Sequence, residues 1–143
     1  MATVKRMAYV EHSTQQMYEL VVNVNGYSDF LPWCSQSKII DSIQNKMRAS
    51  ITIDFSGLNQ SFSTLNVGDP PNSLSMSLID GPFKKLDGSW KFTGIEGHGC
   101  KIDFFISYEF SNFILDRTVD GVFKAIATTL IDAFIERANE LYG

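Results

Sequence analysis

The spacing of apolar residues changes after residue 110 of this chain, and that change limits the folds that it can adopt. Between residues 46 and 110, apolar side chains occupy every second position of successive segments, as in strands with one buried face. From Leu115 to Leu141 they recur every three or four residues, which predicts one helix of up to about 28 residues. A sheet must cover its apolar face, and this helix is the longest element available. The pattern therefore predicts an α+β fold, with a curved antiparallel sheet wrapped round a long C-terminal helix.

The predicted order of elements begins with a strand over residues 3–10. Ser13, with Gln16 three residues later, forms a capping box for a helix that ends at Gly26. A second short helix or turn follows over residues 27–34. The strands that alternate most clearly cover residues 46–55, about 58–67, 73–80, 86–92 and 100–110. Six or seven strands, two short helices after the first strand and one long helix make a single domain over residues 1–143.

The composition of the chain supports a self-sufficient core. A chain of 143 residues buries about 68–70% of the surface that it exposes when unfolded. Aromatic residues make up 13% of the sequence, with 11 phenylalanines, whereas charged residues make up 20%. No apolar run reaches the roughly 20 residues of a membrane span, and the N-terminus lacks the apolar core of a signal peptide. We therefore predict a soluble, cytoplasmic protein.

Charge and the few metal-ligating residues exclude several classes of function. The net charge of −4 argues against DNA binding by bulk electrostatics. Cys34 and Cys100 have no metal-ligand spacing, so we predict two free thiols. His12 and His98 fall in predicted turns, where we expect exposed side chains and no metal site. The inward positions hold no carboxylate pair and no Ser–His–Asp arrangement, so no catalytic residue is predicted.

The interior between sheet and helix allows two interpretations. The apolar and aromatic side chains there either fill a core or line a cavity for a hydrophobic ligand, and periodicity does not separate the two. Residues 30–34 and 80–83 are turns that also suit a lid and a flap over such a cavity. The candidate lining residues are Phe30, Leu31, Trp33, Ile53, Phe55, Phe62, Met76, Phe83, Trp90, Phe92, Phe104, Ile106, Phe110, Phe123, Ile126, Ala127, Leu130 and Phe134.

Basic residues in the strands form a second candidate site. Lys84, Lys85 and Lys91 lie at or near outward positions, where they are either solvated charges or a docking patch for RNA or anionic headgroups. Arg6 lies on the same side of the first strand as apolar residues. It is expected to pair with a buried carboxylate or with the polar head of a ligand, or to extend to the surface along the strand.

Four segments carry a resemblance to a known family: FLPWC at 30–34, DGPFKKLDGSWKF at 80–92, YEFSN at 108–112, and the C-terminal helix from Val122 to Gly143. From Val4 to Tyr142 the chain resembles the START-like polyketide cyclase/dehydrase superfamily. Within it, the chain is most similar to the branch of RatA-like ribosome association toxins and mitochondrial coenzyme Q-binding proteins. Phe113 stands where many relatives have proline after the asparagine, which slightly weakens the start of the last helix.

The resemblance implies a helix-grip fold that binds a hydrophobic ligand and requires no cofactor. The coenzyme Q-binding proteins imply ubiquinone or another isoprenoid quinone or lipid, a role in respiration and transient contact with a membrane surface. The toxins imply instead a partner in the large ribosomal subunit, whose joining to the small subunit would be blocked. The wider superfamily implies a cyclase-type enzyme as a minor alternative. The sequence leaves the ligand, the partner and the oligomeric state open.

Overall fold

The computed structural model describes residues 2–143, which form one β-sheet, three α-helices and one 3₁₀ helix. In chain order these are β1 (Ala2–Val10), α1 (Thr14–Val22), the 3₁₀ helix (Val24–Gly26), α2 (Tyr27–Phe30), β2 (Cys34–Ile43), β3 (Lys46–Phe55), β4 (Leu58–Asp69), β5 (Ser73–Asp80), β6 (Phe83–Gly94), β7 (Cys100–Phe110) and α3 (Phe113–Tyr142). Among these residues no helix is both long and apolar enough to cross a membrane.

The sheet has seven antiparallel strands in the order β1-β7-β6-β5-β4-β3-β2. Strands β2 to β7 follow one another as hairpins, whereas α1 and α2 carry the chain from β1 to the opposite edge at β2. The register shifts between Ser63 and Thr64 and between Phe83 and Lys85. Such bulges bend strands and increase their twist, which lets the sheet curve round α3. The predicted helix-grip arrangement is thus confirmed.

Strand β2 is the element that the alternation pattern did not locate. It lies at the edge of the sheet, and its register against β3 shifts twice, between Cys34 and Gln36 and between Ile39 and Asp41. Each shift moves the following side chains to the opposite face, so the apolar residues keep no period of two. Ile43 remains exposed at the end of the strand.

Both predicted helix starts are confirmed. The Ser13 hydroxyl accepts from the Gln16 backbone N–H at 3.1 Å, and the Gln16 side chain accepts from the Ser13 N–H at 2.9 Å, which completes the capping box. Asn112 caps α3 by accepting from the Ile114 N–H at 2.7 Å, so this helix begins without a proline. Helix α1 is shorter than expected because the chain changes to a 3₁₀ helix at Val24.

Helix α3 lies across the inner face of the sheet and is tied to β1 by polar contacts. Arg6 donates to the Thr128 carbonyl and to the Asp132 carboxylate, at 3.3 Å for the latter, so it pairs with a carboxylate on the helix. The ring of His12 hydrogen-bonds Asn139 at 2.7 Å. The prediction that His12 is exposed is therefore wrong, because the end of α3 covers its ring; His98 is exposed as expected.

Candidate functional site

A cavity lies between α3 and the inner face of strands β3 to β7. Its volume, measured as the space open to the centre of a water molecule, is about 80 Å³. The side chains around it are mostly apolar and aromatic. Its lining residues are Val24, Tyr27, Trp33, Ile51, Ile53, Phe62, Thr64, Asn66, Met76, Leu86, Gly88, Trp90, Phe104, Ile106, Phe123, Ile126, Ala127, Leu130 and Phe134.

Gly88 lies in the wall of the cavity, where the surrounding atoms leave little room for a side chain. The inward positions of β6 are Leu86, Gly88 and Trp90, so the strand presents no side chain between two large ones. A Cβ at Gly88 would lie 2.9 Å from the terminal methyl of Met76 and 3.1 Å from the carbonyl oxygen of Phe105. A side chain at this position would therefore push into the wall of the cavity.

Several lining side chains are only half-buried although they lie on the inner face. Phe62 on β4, Met76 on β5 and Leu130 on α3 belong to this group. Helix α3 packs mainly on β1 and β7 and on α1, and it touches β4 only lightly. Phe62 and Met76 consequently border the cavity instead of packing fully against the helix, and Leu130 borders it from the helix side.

The structure brings most of the predicted lining residues together. The predicted residues that line the cavity are Trp33, Ile53, Phe62, Met76, Trp90, Phe104, Ile106, Phe123, Ile126, Ala127, Leu130 and Phe134. Those that do not line it are Phe30, Leu31, Phe55, Phe83, Phe92 and Phe110. The inward placement of Phe55 is wrong, because it ends β3 at a tight turn through Ser56 and Gly57, both with positive φ, and is 44% exposed.

The other predicted residues outside the cavity pack in the core around it. Leu31 is fully buried, and Phe92 lies between Tyr18 and Trp90, at 6.3 Å from each ring centroid. Phe83 stacks on Phe110 with centroids 4.8 Å apart. Phe83, Phe92 and Phe110 share the inner face of the sheet with the lining residues, but they pack against other side chains and do not border the cavity.

Phe30 and Trp33 lie in the segment predicted to form a lid. The Phe30 ring packs edge-on against Phe134 at 5.2 Å and so covers the end of α3. Trp33 borders the cavity with a half-buried side chain, and its carbonyl accepts from the Asp54 N–H at 2.9 Å. The main chain at Trp33 is thus hydrogen-bonded to β3, and its indole is the part of this segment that borders the cavity.

Aromatic contacts make the wall around Trp90 stiff. Its ring lies 4.7 Å from Phe104 and 5.1 Å from Phe134, the latter nearly perpendicular. Offset and edge-to-face contacts of this kind add about 0.5–1.5 kcal/mol per pair beyond the area that they bury. Trp90, Phe104 and Phe134 therefore form a closely packed aromatic part of the lining.

Thr64 and Asn66 are lining residues that the sequence analysis did not single out. Both are buried on the inner face of β4, and the Thr64 hydroxyl donates to the Asn66 side-chain oxygen at 2.7 Å. Their positions have the same parity as Phe62, which was predicted to face inward. This shared parity was the signal in the sequence that Thr64 and Asn66 face inward. Polar residues on a strand, however, are usually assigned to the solvent-exposed face.

The electrostatics of the cavity favour neutral groups. The Tyr27 hydroxyl donates to the Val21 carbonyl, and burial raises the pKa of this phenol well above its usual value. Burial also raises the pKa of the Cys34 thiol, which is free, as is Cys100. None of the described residues that line the cavity is a carboxylate, histidine, lysine or arginine. This lining can hold an apolar molecule and satisfy a few of its polar atoms.

The predicted basic patch lies on the outer face of the sheet, where carboxylates interrupt it. Lys84 Nζ is 3.8 Å from Glu109 Oε2, and Lys85 lies directly opposite Glu109 in the register of β6 and β7. Lys91 lies opposite Asp103. The three lysines therefore alternate with negative charges and do not form a continuous positive surface.

Comparisons with known proteins agree with this architecture. The chain is 40% identical to the persistence and stress-resistance toxin PasT of Escherichia coli O6:H1 and 39% identical to the ribosome association toxin RatA of Escherichia coli K12, each over 100% of this chain and 90% of the relative. It is 28% identical to the mitochondrial coenzyme Q-binding protein COQ10 homolog B of Xenopus laevis, over 97% of this chain and 61% of that protein.

Solved structures share the fold over nearly the whole chain. The TTHA0849 protein of Thermus thermophilus superimposes with a TM-score of 0.85 at 16% identity, over 99% of this chain and 100% of that one. The 18 kDa protein CC1736 of Caulobacter crescentus has a TM-score of 0.79 at 28% identity, over 100% and 99%. A family model described as polyketide cyclase / dehydrase and lipid transport matches residues 10–135. The chain therefore belongs to the polyketide cyclase/dehydrase and lipid transport family.

Proposed function

We propose that this protein binds a lipophilic molecule in the cavity under α3 and carries it without chemical conversion. The observation behind the proposal is the lining itself, which combines a stiff aromatic wall at Trp90 with apolar side chains and contains no charged group among the described residues. Removing apolar surface from water contributes about 25 cal/mol per Å² before ordering costs. The lining supports binding more than acid–base catalysis, which requires titratable groups near the ligand.

An isoprenoid quinone is the ligand that we favour. A flat quinone ring suits the aromatic wall, and a relative of this chain is named a coenzyme Q-binding protein. The cavity of about 80 Å³ is smaller than the roughly 300–1,000 Å³ of pockets for drug-sized ligands. Binding would thus require the half-buried side chains of Trp33, Met76 and Leu130 to move aside and α3 to separate slightly from β4 and β5.

Transfer of such a ligand would involve transient contact with a membrane surface. Phe113 and Ile114, in the first turn of α3, are 72% and 68% exposed. Arg117 lies over the Phe113 ring, with its guanidinium carbon 5.6 Å from the centroid. An exposed aromatic and aliphatic pair beside a cation is suited to the boundary between headgroups and acyl chains.

The first experiment is mass spectrometry of an organic extract of freshly purified protein, followed by titration with a short-chain quinone. Trp33 and Trp90 both border the cavity, so saturable quenching of their fluorescence is the expected result. Ala127→Leu fills the cavity and should abolish the quenching. Ala125→Leu makes the same change at an exposed position of the same helix and should leave it intact. Equal quenching in both variants, or none in the wild type, would count against the proposal.

Association with the large ribosomal subunit is the second candidate function. It is favoured by the relatives at 39% identity over the whole chain that are named ribosome association toxins. On this hypothesis the protein cosediments with ribosomal subunits, and the amount bound falls as salt rises if basic side chains carry the contact. The double variant Lys84→Glu, Lys85→Glu is expected to reduce binding, whereas Lys124→Glu on the exposed side of α3 is the matched control. Unchanged cosedimentation of the double variant would remove this patch from the hypothesis.

A further inference from the structure

The cavity contains one polar side-chain pair in surroundings that are otherwise apolar. Thr64 and Asn66 are 6% and 3% exposed. In the sheet, Asn66 lies between Met47 of β3 and Met76 of β5, and Thr64 lies between Ala49 and Leu78. Neither residue is at a strand end or beside water-exposed loops, so its polarity has no role in a turn or a cap.

The hydrogen bonds of this pair leave one group unused. The Thr64 hydroxyl donates to Asn66 Oδ1 at 2.7 Å, which fixes the orientation of the amide. An asparagine amide nitrogen carries two further donors. Among residues 2–143, no protein atom accepts a hydrogen bond from Asn66 Nδ2. This nitrogen is accessible from the cavity, because Asn66 is one of the lining residues. The cavity is therefore the place where these donors find a partner.

This polar pair contributes less to the stability of the folded protein than apolar residues at the same two positions would. An amide on a side chain that is 3% exposed, with donors that bond no atom of residues 2–143, contributes little to folding, whereas apolar residues of similar shape at both positions would be neutral or stabilising. An inward-facing strand position between two methionines would ordinarily hold an apolar side chain. The amide is thus best explained by an acceptor atom that enters the cavity.

We propose that Asn66 donates a hydrogen bond from Nδ2 to a carbonyl oxygen of the bound ligand, and that Thr64 acts as a positioning residue by holding the amide. The inference rests on the proposed function and adds to it the residue that recognises the carbonyl on the ring or head of the ligand. Tyr27 does not compete for this role, because its hydroxyl already donates to the Val21 carbonyl. The carbonyl end of the ligand consequently lies against β4.

The test compares two ligands that differ in their carbonyl groups. Decylbenzoquinone and decylbenzene are titrated against the wild type and against Asn66→Leu, with tryptophan quenching or calorimetry as the measurement. Loss of one neutral hydrogen bond should weaken decylbenzoquinone binding about five- to tenfold. Decylbenzene should bind the variant at least as tightly as the wild type. Asn59→Leu makes the same change at an exposed position of β4 and should alter neither affinity.

A spectroscopic measurement tests the same bond directly. The carbonyl stretch of bound decylbenzoquinone should lie at lower frequency in the wild type than in Asn66→Leu, since donation to the oxygen weakens the C=O bond. The double variant Thr64→Val, Asn66→Leu is expected to melt no lower than the wild type, which separates lost recognition from lost folding. Equal changes in affinity for both ligands, or an unshifted carbonyl stretch, would overturn the inference while leaving the carrier function intact. A wild type that binds neither ligand would overturn both.

Discussion

The two halves of α3 have the same amphipathic pattern but different surroundings. In the C-terminal half, residues 131–142, Ile131 and Ala138 are 0% exposed, and Phe134 packs against Tyr27 and Phe30 with centroids 5.2 Å away. In the N-terminal half, residues 113–130, Leu130 is half-buried beside the cavity and Phe113 is exposed. Both halves bury apolar side chains, but the cavity borders mainly the N-terminal half, with Phe134 as the lining residue of the C-terminal half.

The difference arises from what covers each half. The C-terminal half contacts α2 through Phe134, bonds Arg6 of β1 through Asp132 and His12 through Asn139, and the Tyr142 hydroxyl donates to the Gln16 carbonyl of α1 at 3.4 Å. The N-terminal half contacts the sheet, through Thr128 to Arg6 and through Phe123 to Phe83, Tyr108 and Phe110. Close packing needs partner atoms on every side, and the cavity borders mainly this part of the helix.

The largest expected difference in stability is between alanine variants of two adjacent residues that have isomeric side chains. Ile131→Ala should lower the free energy of unfolding by about 2–5 kcal/mol, because it opens a void in a closed part of the core. Leu130→Ala should cost less than half as much, since its side chain already borders empty space. Denaturant titration of both variants gives the comparison. Equal losses would mean that the two halves are packed alike.

Enlarging an alanine in each half tests the same comparison with added instead of removed side-chain volume. Ala138→Leu should destabilise the protein by about 1–3 kcal/mol, because the closed half has no space for more methylenes. Ala127→Leu extends into the cavity, and its free energy of unfolding should stay within about 1 kcal/mol of the wild type. Thermal or denaturant unfolding checks this pair, and a large loss in Ala127→Leu would contradict the presence of the cavity.

Buried phenols extend the comparison to alkaline pH. Tyr27 lies against the C-terminal half and Tyr108 against the N-terminal half, 4.6 Å from the Phe123 ring. Burial raises the pKa of both phenols, and Asp120 adds to the effect at Tyr108. Above the unfolded pKa of about 10 the unfolded chain loses these protons first, so stability falls as pH rises, by up to about 1.4 kcal/mol per pH unit for each phenol.

Replacing either tyrosine by phenylalanine should remove the contribution of that phenol to the fall in the free energy of unfolding with rising pH. Denaturant unfolding measured between about pH 9 and pH 11 covers the window, because the unfolded phenols titrate near 10. Equal reductions in Tyr27→Phe and Tyr108→Phe are expected if both halves of α3 stay closed. A slope that only Tyr27→Phe reduces would show that the N-terminal half opens at alkaline pH and lets Tyr108 ionise in the folded protein.

The smallest expected effect on stability concerns the exposed start of α3. Changing Phe113 and Ile114 together to serine should alter the free energy of unfolding by no more than about 0.5 kcal/mol, because both side chains are largely exposed. Binding to lipid vesicles in a flotation assay should decrease several-fold. Serine at Met7 and Tyr9, exposed on β1, is the matched control. Vesicle binding that the first change leaves intact would exclude this surface as the membrane contact.

Much of the fold could be predicted because its elements follow from local geometry. The period of two across β3 to β7 and the longer period of α3 reflect which face of each element is buried, and both appear directly in the residue order. Strand β2 could not be found in this way, since its two bulges break the period. The burial of Phe55 was wrongly predicted, because alternation does not show where a strand ends and its side chains are no longer covered by other parts of the protein.

The candidate site could be predicted only as a set of inward positions. Trp90 and Phe92 have the same parity and neighbouring places on β6, yet only Trp90 borders the cavity. Thr64 and Asn66 share the parity of Phe62, but their polarity concealed their inward orientation. Parity assigns a side chain to a face, whereas membership in the site depends on the distance from that face to α3.

The sequence by itself determined which residues face the interior, where the helices begin and that one long helix must cover the sheet. These are consequences of backbone periodicity, capping and the need to bury apolar surface, and they involve residues close together in the chain. The tertiary structure alone decided that the interior contains a cavity, because its volume depends on the curvature of seven paired strands and on the tilt of α3 against them. Those distances are set by contacts between residues far apart in sequence, which no local pattern records.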